Sequence, residues 1–65
     1  MEYTQDDLTQ AGRQIASALH KLREVVKTLE AKENKERYKS QITLAKRRIR
    51  AFEIAGHLIE RERAK

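Results

Sequence analysis

Glu53, His57 and Arg61 recur at every fourth residue of the segment AKRRIRAFEIAGHLIERER, Ala45 to Arg63. A carboxylate, an imidazole and a guanidinium along one side of a helix are ingredients of general acid–base chemistry. They equally form a solvated row of charge pairs of small energetic value. Nothing else in the chain supports the catalytic reading. Ser17 and Ser40 stand in no nucleophile elbow, and no glycine-rich phosphate loop occurs. The absence of cysteine removes disulfides and thiolate metal sites, and His20 and His57 belong to no metal-binding spacing. The residues therefore point to a chain that is not an enzyme, with no catalytic, cofactor-binding or metal site.

A second constellation is electrostatic. Lys46, Arg47, Arg48 and Arg50 place four positive charges in five residues. On a helix, Lys39, Lys46, Arg50, His57 and Arg61 fall within about 60° of one another, with Arg47 beside them, over roughly 33 Å. Such a row has the length to follow several phosphates of a nucleic acid. Lys39, Lys46, Arg47, Arg50 and Arg61 are thus candidates for binding a polyanion, RNA or DNA. The other meaning of the row is a charged solvent face. Tyr3, Tyr38 and Phe52 fit structural positions, so no aromatics remain to stack on bases, and contact would be with the backbone rather than with base sequence.

The charge is uneven along the chain. Residues 1–33 hold five Lys/Arg and six Asp/Glu, a net −1, while residues 34–65 hold ten and four, a net +6. This asymmetry raises the expectation of an acidic or polyanionic partner.

Helices must position these residues. The chain has no proline, its only glycines are Gly12 and Gly56, and good helix formers dominate. Thr4 with Asp7 three residues later reads as a shortened capping box, and Tyr3 with Leu8 as a hydrophobic staple. From there three rows repeat by sevens: Leu8, Ile15, Leu22 and Leu29; Ala11, Ala18 and Val25; Gly12, Leu19 and Val26. This is the stripe of a helix packed in a bundle. It stops in EAKENKER, residues 30–37, where Asn34 suits a left-handed turn or a cap for the next helix. Tyr38, Ile42, Ala45, Ile49, Phe52, Gly56 and Ile59 then run at spacings of four and three in a new phase.

The expected fold is all-α: an antiparallel two-helix hairpin, a single domain over 1–65. Helix 1 spans about 5–31, the turn 32–36 and helix 2 about 37–62. One continuous helix with a phase break is the alternative. In the hairpin, facing residues have numbers that sum to about 68, which sets Gly12 against Gly56 and Ile15 against Phe52.

Helix 2 carries more apolar surface than helix 1 can cover. Leu44, Ala51 and Leu58 form a further heptad row, with Ala55 between the rows and Ile54 at the margin. The basic row is expected to lie opposite it. A chain this short is marginal as a lone monomer and is usually completed by a partner. Leu44, Arg48, Ala51, Ala55 and Leu58 are therefore candidate interface residues of a homodimeric four-helix bundle, or of a groove for a helical protein partner. Arg48, at the edge of the row, suits a side chain lying over a subunit boundary.

No apolar run is long enough to span a bilayer, and the acidic MEYTQDD start does not read as a targeting peptide, so a cytoplasmic protein without membrane contact is expected. In length and hairpin form the chain resembles the small RNA-binding Rop dimer and two-helix ribosomal proteins, in architecture alone. Two functions follow: a small interaction or regulatory module, and Rop-like binding of a nucleic-acid backbone.

Overall fold

A computed structural model describes residues 2–65. Two long helices, α1 (Gln5–Glu30) and α2 (Lys39–Arg63), pack against each other as a hairpin. No strand occurs among the described residues. The molecule is a rod of 46 × 16 × 15 Å.

The start of α1 follows from its first residues. The Asp7 N–H donates to Thr4 Oγ1 at 3.0 Å, and the Thr4 N–H donates to Asp7 Oδ2 at 3.1 Å. This reciprocal box satisfies two backbone donors that helix geometry leaves without partners. Tyr3 and Leu8 line a common depression beside it.

The helix ends where its apolar stripe ends. After Leu29 the next apolar side chain of any size is Tyr38, so continued helix would bury nothing. The chain instead turns through 31–34 and enters a single 3-10 turn, Lys35–Tyr38. Asn34 opens that turn by accepting the Arg37 N–H on its carbonyl at 2.9 Å. It does so with φ −100°, and its side chain caps nothing, so neither role expected of Asn34 is the one it takes. The Lys32 ammonium lies 5.6 Å from the Tyr38 ring centre and closes the turn over that ring.

The helix register differs from the expected one. Gly12 approaches Ile59 and Glu60, and Gly56 approaches Ile15, so the two glycines do not meet. Facing residues sum to 71 or 72 in these contacts. Two effects account for the difference. The segment between the α-helices, 31–38, is centred half a residue later than Asn34. Helical side chains also lean about one residue toward their own N-terminus, on both helices, which adds about two to the sum.

The core between the helices is thin. Leu8, Val26 and Ala45 are buried, and the remaining inward positions, among them Ile15, Leu19, Leu22, Ile49 and Phe52, are half-buried.

Candidate interaction surface

The two long sides of the hairpin differ in chemistry. One side is closed by ion pairs between the helices. Arg23 meets Glu53 at 3.2 Å, and Lys46 meets Glu30 at 3.4 Å. The pairs lie seven residues apart on each helix and alternate in polarity, so they form a short ladder along one edge. All four side chains are substantially exposed, and each pair contributes no more than about 1 kcal/mol. Their value is in fixing register and keeping this edge polar.

The ladder alters two readings of the sequence. Glu53 is committed to Arg23 across the hairpin, and no ion pair joins it to His57 or Arg61 among the described residues. Lys46 is held by Glu30, which leaves it less available to a phosphate than the other basic residues. The signal for both pairs was present as the row Arg23–Glu30 against the row Lys46–Glu53, but only the true register brings them together.

On the other side, α2 presents its surplus apolar row. Leu44, Ile54 and Leu58 are 49%, 47% and 54% exposed, and on α1 Val25 is 47% exposed. Ala51 is exposed and Ala55 half-buried, so small residues lie between the large ones. The row continues into the hairpin's N-terminal end, where Leu8, Leu58, Ile59 and Tyr3 line one depression. Ala11 and Ala18 of α1 are half-buried. They share the heptad row of Val25 and extend the apolar band on that helix.

The basic residues border this apolar row rather than standing opposite it. Arg50 and His57 share a shallow depression with Ile54 and Leu58, and Lys39 and Arg47 share one with Leu44. The angles explain this. At 100° per residue the basic row is centred about 110° from the Leu44–Ala51–Leu58 row, and Arg47 lies about 20° from Leu58, so the two rows must touch. Lys39, Arg47, Arg48, Arg50 and Arg61 are exposed and form no ion pair among the described residues.

The described residues contain no group of three or more His, Cys, Asp or Glu side chains placed to hold a metal ion, and no helix long and apolar enough to cross a membrane. Comparison with protein-family models, curated proteins and solved structures finds no match to the chain.

Proposed function

We propose that the protein is a small non-enzymatic interaction module that works as a homodimer, two hairpins joined through the Leu44–Ala51–Leu58 face into a four-helix bundle. The observation that carries this is the area left uncovered. A folded monomer of 7.6 kDa typically exposes about 4,300 Å². The hairpin exposes 5565 Å². The excess of roughly 1,300 Å² is more than the ~800 Å² that each partner contributes to a standard stable interface. A radius of gyration of 14.8 Å, against about 11 Å for a compact chain of this length, describes the same deficit of packing. A second copy supplies the missing apolar cover with a surface already of the right length and pattern.

Light scattering on the purified chain at tens of micromolar tests the reading. A dimer is expected, and a stably folded monomer would count against it.

A second reading rests on the five unpaired cations of α2, Lys39, Arg47, Arg48, Arg50 and Arg61. Bound to a nucleic-acid backbone, they would release counterions, and affinity for duplex DNA would fall with a salt slope of about −0.9 per phosphate neutralised. Replacing Lys39, Arg47 and Arg50 together by Gln should then flatten the slope while leaving helicity unchanged. Absence of binding to duplex DNA and structured RNA at ~50 mM salt, where such contacts are strongest, would remove this reading.

A further inference from the structure

Folding the chain back on itself redistributes its charge. The half of the rod nearest the turn, residues 18–50, holds eleven Lys/Arg and four Asp/Glu, a net +7. The half carrying both termini, residues 1–17 and 51–65, holds four Lys/Arg and six Asp/Glu, a net −2. The boundary on α2 falls at Ala51, the middle of the helix and of the apolar row. The hairpin is thus polarised end to end, basic at the turn and mildly acidic at the termini.

We propose that the two copies join with their long axes antiparallel, the turn of each beside the termini of the other, about a twofold axis through Ala51. The inference rests on the homodimer reading above and adds its orientation. Packing alone does not choose: Leu44, Ala51 and Leu58 are evenly spaced about Ala51. The antiparallel arrangement sets Leu44 on Leu58 of the partner subunit, and the parallel one sets leucine on leucine as well. In both, the small Ala51 meets its own copy and lets the helices approach closely. Charge does choose. The parallel arrangement lays +7 along +7 and −2 along −2, both repulsive. The antiparallel one lays each +7 half along a −2 half, which brings Glu2 and Asp6 toward the partner's Arg47 and Arg48 end, where neither arginine forms an ion pair among the described residues. Exposed charges are screened beyond about 8 Å at physiological ionic strength, so no single pair is decisive. The sign is the same along the whole rod, and it favours one orientation throughout.

Glu62 also opposes Ser40 of the partner subunit in this arrangement, at the first turn of α2. The parallel arrangement sets Glu62 beside its own copy.

Because the chain has no cysteine, single reporters can be placed without altering it otherwise. Glu62→Cys, carrying a nitroxide spin label, is measured by pulsed dipolar spectroscopy at a concentration where light scattering reports a dimer. Position 62 lies eleven residues from Ala51, so antiparallel copies hold their labels about 33 Å apart along the axis at 1.5 Å per residue. Parallel copies hold them within roughly 15 Å, given interaxial distances of 8–10 Å. A distribution centred beyond 30 Å is expected, and one below 20 Å overturns the orientation. Ser40→Cys gives the same expectation from the other end and serves if labelling at position 62 weakens assembly. A monomer in scattering by the unlabelled protein defeats the dimer itself, whereas a dimer with short distances defeats only its orientation.

Discussion

Replacing Leu58 by Ala should raise the dissociation constant of the dimer by roughly 10- to 150-fold, a range that follows from exposure. Leu58 is 54% exposed in the isolated hairpin. Full burial of a leucine contributes about 1.5–3 kcal/mol, so covering its exposed half contributes about 0.75–1.5 kcal/mol. The symmetric interface contains the residue twice, which doubles the loss to about 1.5–3 kcal/mol per dimer. Sedimentation equilibrium over a dilution series measures the constant directly, and far-ultraviolet circular dichroism at each concentration confirms that helicity survives. His20→Ala, on the exposed polar side of α1, is the control and should leave the constant unchanged. If Leu58→Ala and His20→Ala dissociate at the same concentration as the parent chain, the Leu44–Ala51–Leu58 face is not the interface, and the reasoning from uncovered area fails.

Gly12→Ala should stabilise the protein by close to the full helix-propensity difference, about 0.8–1 kcal/mol, because a Cβ there meets Glu60 Oε1 at 3.7 Å and Ile59 Cγ2 at 3.9 Å, ordinary contacts. Gly56→Ala should gain less, since its Cβ meets Ile15 Cγ2 at 3.4 Å. Urea denaturation compares the two, and a loss of stability in Gly12→Ala would show that the helices sit closer at Gly12 than this register allows. Inserting Gly-Gly after Asn34 lengthens a turn in which no residue is buried and should cost less than about 1 kcal/mol. A large loss of helicity and thermal stability on that insertion would mean that the turn itself holds the helices together.

The helices, the cap and the hairpin were legible because each depends on local pattern. Thr4 and Asp7 are three residues apart, the apolar rows repeat by sevens, and the rows stop together before EAKENKER. The excess row on α2 was legible for the same reason, since Leu44, Ala51 and Leu58 cannot face α1 while Ile42, Ala45 and Ile49 do. What required coordinates was how one helix slides along the other. Register depends on where the reversal is centred and on the lean of side chains, and neither is written in residue spacing. The meeting of Gly12 with Gly56, which the sequence suggested, failed for that reason, and the ladder of Arg23–Glu53 and Glu30–Lys46 was hidden for the same reason. The position of the basic row was misjudged: at 100° per residue it is centred only about 110° from the Leu44–Ala51–Leu58 row on α2, so the two are neighbours and not opposites.

The thin core has a consequence for the life of the molecule at low abundance. With only Leu8, Val26 and Ala45 buried among the described residues, a hairpin outside the proposed dimer would have little that resists opening. Brief openings expose peptide bonds to proteases in proportion to the open population. If the proposed homodimer forms, mass action would tie survival to concentration: association above the dissociation constant would protect both chains, and below it each would be degraded on its own. In the proposed homodimer, survival of each chain would rise with the number of copies made together, so synthesis rate would bear on half-life as well as amount.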